Sequence, residues 1–375
     1  GQPPGVSVPT DITQATNWGD PIPSSNKQQR VDDTLHAAFN GRGRLFSSSN
    51  PAQLARDIEQ VLLEVQEGQG AASAVSFSSD ELQEDTSLFK GSYNISTNSG
   101  TFLAQRIDSD GNLIGDPLWE AEKLLDAADY TTRNVIVFND VDHQGVRLEL
   151  DNLSCSQKNS LLNQPIETCS FEPYANELTS KVNFFRGDVT NEKIVGDPDS
   201  SGDFRGRTSL LGDIVNASPS YVKAPDRRNR NGLTYPQGDN LYSNFVNNAT
   251  VSVRPAMIYV GSNDGMLHGF DAETGQERLA FIPNEVLTGA FNNRLADLSS
   301  PNYQHQYYID LTPVAEDIFV GPPIEADAID NAGKTWHTVL MGGYNNAGKG
   351  YFALNITDSA QFAGAYTGDD LVFWE

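Results

Sequence analysis

Positive charge is scarce in this sequence: 25 lysine and arginine residues face 50 aspartate and glutamate residues, giving a net charge of −25 over 375 residues. A surface this acidic repels the phosphates of nucleic acids and the headgroups of anionic lipids. The sequence also lacks an apolar run near the roughly 18 residues that a membrane-spanning helix needs. We therefore predict no nucleic-acid binding and no membrane insertion. The same acidity suits Ca²⁺, which proteins hold with oxygen ligands.

Histidine is rare, and the motifs of common enzymes are missing. The sequence has no H-E-x-x-H, no G-x-S-x-G and no glycine-rich phosphate loop ending in Lys-Ser or Lys-Thr. None of the five histidines pair at metal-ligand spacing: His36, His143, His268, His305 and His337. His268 alternates within a predicted strand, where packing is expected rather than catalysis. We predict that the chain is not an enzyme.

Cysteine occurs only twice, as Cys155 and Cys169. Without a third cysteine or a nearby histidine, the two make a poor metal site. A disulfide between them would close a loop of about 15 residues and contribute about 3 kcal/mol in the chain-entropy account. We predict this disulfide, and with it an oxidising, extracytoplasmic location. The alternative is two unrelated free thiols.

Three zones follow one another along the chain. Residues 1–30 are polar and rich in proline, serine and glutamine, as in a linker. Residues 31–70 carry apolar side chains at helical spacing, with Asn50 as a predicted N-cap and Pro51 at the first helical position. The segment "GQGAASAVS" then suggests a domain boundary. From residue 71 onward helical periods give way to short apolar runs separated by glycine, asparagine and aspartate.

The third zone, 71–375, is predicted to be mainly β. "AMIYVGS", "MLHGF" and "QERLAFI" are three strands joined by the turns "NDG" and "DAETG", with Gly265 supplying a positive φ. "SGTFLAQRIDSDGNLIGDPLWEA" and "HTVLMGGYNNAGKGYFALNITD" follow the same plan. Such units predict the blades of a β-propeller. The sequence stops at "DDLVFWE", which reads as mid-strand, and this favours a truncated propeller from a longer protein.

Four motifs occur in order: "VDDTLHAAFNGRGRLFS", "FFRGDVTNE", "FRGRTSLLGDIVNASPSYV" and "IYVGSNDGMLHGFDAETGQE". Together they resemble the PilY/PilC family of type IV pilus-tip adhesins. The resemblance implies a modified, quinoprotein-like β-propeller, preceded by a von Willebrand A-like domain whose helical end would be residues 31–70. It also implies a protein secreted through the periplasm to the pilus tip or outer cell surface.

The function implied by this resemblance is pilus biogenesis and adhesion, through contacts with minor pilins and with host or abiotic surfaces. Two family features have no counterpart here. The D-x-S-x-S metal motif of the A-like domain is absent, and no segment matches the family's Ca²⁺ loop in the propeller.

The segment "GDPDSSGDFRGR" is the best local candidate for Ca²⁺. Alternate oxygen-bearing side chains fall at loop positions 1, 3, 5 and 7, with a glycine at position 6. These candidate ligands are Asp197, Asp199, Ser201 and Asp203. The position of the acidic closing ligand holds Thr208 instead, and the alternative is a solvated acidic loop.

Two weaker candidates remain. Asp108, Asp110 and Asn112 show the same alternation, but an Asp-Gly hairpin turn already explains them. An Arg-Gly-Asp tripeptide could present its carboxylate to the metal of an integrin, although a structural turn is favoured. Its residues are Arg186, Gly187 and Asp188.

Two other classes of function remain open. The blade pattern also occurs in quinone-dependent dehydrogenases, but only four tryptophans are present and adjacent cysteines are absent. Absorbance of an added quinone and dye reduction would indicate that enzyme. A structural filament or surface-layer component is the third alternative, which electron micrographs of labelled protein would distinguish.

Overall fold

The computed structural model describes residues 75–77, 86–108, 112–197, 199–225, 240–289, 294–321 and 333–375. The chain divides into two units, 1–68 and 69–375, and every described residue lies in the second. The helices predicted over 31–70 lie outside the described residues. The described part of the second unit is mainly β, as predicted, and its strands form three sheets.

The first sheet is an antiparallel meander in which four strands pair in chain order. Its strands are β1 (Val75–Phe77), β2 (Thr86–Asn94), β3 (Ser99–Ile107) and β4 (Leu113–Glu120). Side chains alternate along β3, so that Phe102 and Ala104 are buried beneath the indole of Trp119. This is the period-2 pattern of a sheet with one face on the core.

The second sheet contains the motif "YVGSNDGMLHGFDAETGQ". Its six strands are β5 (Val135–Asn139), β6 (Gln144–Arg147), β7 (Ser220–Val222), β8 (Met257–Gly261), β9 (Leu267–Asp271) and β10 (Glu277–Ile282). They lie in the order β6-β5-β10-β9-β8-β7. Strands β7 to β10 form an antiparallel meander, and the β5–β6 hairpin joins it through a parallel pairing of β5 with β10. The three strands predicted for the motif are therefore confirmed.

The third sheet is again an antiparallel meander in chain order. Its strands are β11 (Val314–Val320), β12 (Thr335–Gly343), β13 (Tyr351–Asn355) and β14 (Val372–Trp374). Phe281 of the second sheet packs on Phe352 of the third, with ring centroids 5.2 Å apart. Among the described residues the three sheets do not close a ring, as expected for part of a propeller.

Helices fill the connections between strands. They are α1 (Ala121–Asp126), α2 (Cys155–Leu162), α3 (Ala175–Arg186), α4 (Tyr242–Val246) and α5 (Asn284–Thr288). Helices α2 and α3 correct the expectation that helical periods end before the third zone. Both have local causes: Ser154 and Gln157 form a capping box at α2, and α3 buries Leu178 and Val182 at helical spacing. No helix in the described ranges is long and apolar enough to cross a membrane.

The predicted disulfide is confirmed. Cys155, the first residue of α2, is bonded to Cys169, and their Cα atoms are 5.5 Å apart. The bond ties the start of the helix to the loop that leads towards α3.

Candidate functional site

Four buried charged side chains lie at the centre of the second sheet: Arg133, Asp264, His268 and Glu277, named here the buried charge network. His268 on β9 is fully buried. Its Nε2 lies 3.0 Å from an oxygen of Asp264, and its Nδ1 lies 2.8 Å from an oxygen of Glu277. Arg133 approaches Glu277 with two nitrogens, Nε at 2.6 Å and Nη2 at 2.9 Å.

The neighbouring charges set the protonation state of the network. Burial disfavours the charged form of His268, but Asp264 and Glu277 outweigh it and raise the pKa of His268 to about 9. Burial alone would raise the pKa of Glu277, yet Arg133 and His268 lower it to about 2. At neutral pH the network therefore holds two positive and two negative charges, which compensate one another.

This geometry determines what His268 can do chemically. A protonated imidazole is a donor at both nitrogens, and here both are directed at carboxylates. No lone pair is left for a metal ion, and the ring has no exposed surface at which to exchange a proton with a substrate. His268 is thus a packed structural residue, in agreement with the sequence prediction.

The network also anchors a second motif. Asp264, in the "NDG" turn, accepts a hydrogen bond at 2.8 Å from the backbone N–H of Gly212, which belongs to "FRGRTSLLGDIVNASPSYV". The next residue, Asp213, accepts from Asn263 at 2.8 Å and lies 2.7 Å from Nε2 of His305. Two motifs about 50 residues apart in sequence are therefore fixed against each other by charged and amide groups.

Polar contacts extend this connection to the third sheet. Asp310, almost completely buried, accepts from the backbone and the side-chain amide of Asn216. The amides of Asn345 and Asn346, in the β12–β13 loop, also donate to its Oδ2. One carboxylate thus holds loops from three parts of the chain.

The motifs "FFRGDVTNE" and "FRGRTSLLGDIVNASPSYV" also meet. The guanidinium of Arg207 pairs with Glu192 through Nε at 2.7 Å and lies over the ring of Phe184, 3.8 Å from its centroid. Burial lowers the pKa of Arg207, an effect opposed by Glu192. These contacts fasten helix α3 to the sheet motif.

The Arg-Gly-Asp tripeptide ends helix α3. Gly187 is buried and takes the left-handed conformation of a C-cap, with φ +115°. Arg186 donates to the carbonyl of Thr131 at 2.7 Å, and the carboxylate of Asp188 accepts the N–H of Thr190 at 2.9 Å. Each residue therefore has a structural role, while integrin binding through the tripeptide stays a prediction.

The predicted calcium ligands Asp197, Asp199, Ser201 and Asp203 are exposed on one loop. Asp197 accepts the N–H of Asp199 at 3.1 Å, and the N–H of Asp203 donates to the carbonyl of Asn191. Within the described ranges, no three His, Cys, Asp or Glu side chains are grouped so as to hold a metal ion. The calcium assignment stays a prediction.

The weaker calcium candidate closes the β3–β4 hairpin. Asn112 donates to Asp108 through its backbone N–H at 2.8 Å and its side-chain amide at 3.0 Å. Asp110 lies outside the described residues. The two described residues therefore have a role in the turn, and the calcium assignment stays a prediction.

Sequence reasoning missed the buried charge network. His268 was identified as packed, but its partners Asp264 and Glu277 were not. A signal was available: Asp264 lies in the turn that leads into the strand of His268, and antiparallel pairing places Glu277 opposite Phe270, two residues from His268 on the same face of the sheet. Arg133 lies 144 residues from Glu277 and carried no local signal.

The comparisons with known proteins agree with this fold. Residues 211–375 match the family model described as the PilY1 beta-propeller domain. The chain is 32% identical over 365 residues to a type IV pilus biogenesis factor PilY1 of Pseudomonas aeruginosa strain PAO1, covering 92% of the chain and 28% of that protein.

A PilY1 homolog of Xylella fastidiosa is 27% identical over 355 residues, covering 92% of the chain and 24% of that protein. The chain thus spans about a quarter of the length of these curated relatives. No solved structure matches the chain.

Proposed function

Residues 211–375 belong to the PilY1 β-propeller domain family, and from this premise we propose that the chain acts in type IV pilus biogenesis. The observation that carries the proposal is that match, together with 32% identity to a pilus biogenesis factor over most of the chain. The chain would act by binding rather than by catalysis, as a tip-located adhesin and assembly factor.

The buried charge network supports a binding scaffold. Its compensated charges fix the turns of the second sheet, so that the loops above them are presented in one arrangement. Preorganised loops lose little conformational entropy when they bind a partner. Binding surfaces commonly lie on such loops above a rigid sheet.

An edge strand offers a second mode of contact. In the first sheet, β4 is the terminal strand of the order β1-β2-β3-β4 among the described residues. Its apolar residues Leu113, Ile114 and Leu118 are about half exposed, at 57, 45 and 44%. Such an edge can accept a strand from a partner, and we assign this role to contacts with minor pilins.

We propose that the functional protein is located outside the cytoplasm. It would pass through the periplasm and reach the pilus tip or the outer cell surface. The disulfide between Cys155 and Cys169 supports this, because disulfides persist in oxidising compartments. Loops on the far side of the sheets would then contact host or abiotic surfaces.

We also propose that Ca²⁺ binds the loop of Asp197, Asp199, Ser201 and Asp203 and stiffens it, so that the metal modulates adhesion. Calorimetric titration with Ca²⁺ tests this, and Asp199→Ala should abolish the heat. Asp142→Ala, at an exposed aspartate outside that loop, is the matched control. An unchanged signal in Asp199→Ala would remove the assignment.

Genetic complementation tests pilus biogenesis itself. Deleting the gene that encodes the chain should remove surface pili, counted in sheared preparations, and the wild-type gene should restore them. Normal pili in the deletion strain would refute the proposal.

A further inference from the structure

The two cysteines of the disulfide lie in different surroundings. Cys169 is exposed, as are the residues on both sides of it, whereas Cys155 is half-buried at the start of α2. The Sγ atom of Cys155 lies 4.0 Å from the carbonyl oxygen of Ile166 and 3.9 Å from Nδ2 of Asn159. A small molecule that approaches the bond from solvent therefore meets Cys169 first.

The surroundings of Cys155 stabilise a thiolate. Cys155 is the first residue of a helix of 8 residues, whose start is fixed by the capping box of Ser154 and Gln157. Because the helix dipole places partial positive charge at this end, it stabilises a thiolate there. The side-chain amide of Asn159 adds a donor, and Lys158, three residues further along the helix, adds a positive charge nearby.

The surroundings of Cys169 disfavour a thiolate. Glu167 and Glu172 are exposed, and within the described ranges neither carboxylate forms an ion pair. Because like charges repel, negative charge is less favourable on the sulfur of Cys169 than on that of Cys155. Cys169 also has a φ of +51°, which is uncommon for a residue other than glycine. Opening the disulfide allows the backbone to leave this conformation.

We propose that Cys169 is a modification site, at which a small thiol attaches covalently by exchange with the disulfide. The incoming thiolate forms a bond to Sγ of Cys169, and the bond between the two Sγ atoms breaks. The electron pair of the broken bond leaves on Sγ of Cys155, which becomes a thiolate. No separate oxidant is consumed, because one disulfide replaces another.

The same geometry makes the modification reversible. The Cα atoms of the two cysteines are 5.5 Å apart in the closed state, so the released Cys155 thiolate stays near Cys169. Its attack on Sγ of Cys169 expels the small thiol and restores the original bond. The negative charges of Glu167 and Glu172 favour a cationic thiol over an anionic one. The inference goes beyond the pilus function and does not depend on it.

Mass spectrometry of the folded chain treated with cysteamine tests the proposal. Cysteamine is a small thiol whose ammonium group is attracted by the carboxylates beside Cys169. N-ethylmaleimide then blocks the released protein thiol, and digestion locates the adduct. We expect cysteamine on Cys169 about 10-fold more often than on Cys155. The control is the same treatment in urea, which removes the helix and should bring the ratio to within about 3-fold.

Two single-cysteine variants test which sulfur is the better leaving group. Cys169→Ser leaves Cys155 alone, and Cys155→Ser leaves Cys169 alone. Ultraviolet absorbance at neutral pH measures the thiolate fraction in each folded variant, and we expect it to be about 10-fold higher for Cys155. The cysteamine experiment on the wild-type chain needs neither variant.

Four results would each overturn the proposal. They are an adduct mainly on Cys155, an equal distribution between the two cysteines in the folded chain, no adduct at all, and a thiolate fraction at Cys155 no larger than at Cys169.

Discussion

At the residue scale, His268 shows how burial and charge together decide a role. A buried histidine between carboxylates resembles the orienting groups of a catalytic site. Here both ring nitrogens are committed to Asp264 and Glu277, and Arg133 balances the second negative charge. Because the positive and negative charges of the network balance, its ion pairs stabilise the packing of β9, β10 and the start of β5 against one another.

Replacing this histidine should therefore destabilise the fold. His268→Leu leaves Asp264 buried without a positively charged partner and Glu277 paired with Arg133 alone, which we expect to cost about 3–5 kcal/mol. Urea denaturation measures the change. The control His143→Asn is at an exposed position with positive φ, which asparagine tolerates, and should change stability by less than about 0.5 kcal/mol. Equal effects of the two substitutions would refute the structural role of His268.

The network also predicts a pH dependence. The folded-state pKa of His268 is raised from 6.5 to about 9, so its stabilisation is full below pH 6.5 and is lost as pH rises through 9. The pKa of Glu277 is lowered from 4.5 to about 2, so its contribution is present above pH 4.5 and is lost as pH falls through 2.

We therefore expect the stabilisation contributed by His268 and Glu277 to be greatest between pH 4.5 and 6.5, with about 3 kcal/mol of it lost between pH 6.5 and 9. Denaturation curves across this range measure it. The alkaline loss should shrink sharply in His268→Leu; a loss of the same size in that variant would assign the effect to other groups.

At the element scale, the hairpins followed from the sequence, whereas helices α2 and α3 did not. The turn "NDG" needs a positive φ, which Gly265 adopts at +90°, and the apolar runs on either side leave few choices other than strands. For α3, the apolar spacing of Leu178 and Val182 and the capping Gly187 were present in the sequence. Because the third zone was expected to contain only strands and turns, the Arg-Gly-Asp stretch was interpreted as a turn and not as the end of a helix.

Close packing between two motifs makes Gly212 a sensitive position. A Cβ there would overlap the backbone nitrogen of Asp264, so Gly212→Ala must separate the loop from the "NDG" turn. We expect a destabilisation of about 1–3 kcal/mol by denaturation. Gly364 has an extended backbone and open space around it, so Gly364→Ala is the control and should be nearly neutral. A neutral Gly212→Ala would contradict the close contact.

The disulfide should stabilise the loop between α2 and α3. The double change Cys155→Ser with Cys169→Ser removes the crosslink over a sequence separation of 14 residues and should cost about 3 kcal/mol. Denaturation with and without a reductant checks this: the wild type should lose stability on reduction, and the double variant should be insensitive. A wild type that is equally stable when reduced would contradict the prediction.

At the scale of the whole molecule, the propeller architecture was predictable because repeated strand–turn units are a local signal. The long-range contacts between these units could not be predicted. Arg133 and Glu277 are 144 residues apart, and Asn216 and Asp310 are 94 apart. No periodicity or turn motif relates such positions, so the buried charge network became visible only in the folded chain.

The acidic surface and the compensated interior together favour a scaffold that presents loops and edges to partners. Because that account places the protein at the end of a pilus, gold-labelled antibody against the chain, viewed on intact cells by electron microscopy, tests it most directly. The account predicts label at pilus tips. Label along the shafts, or on the cell surface without association with pili, would contradict it.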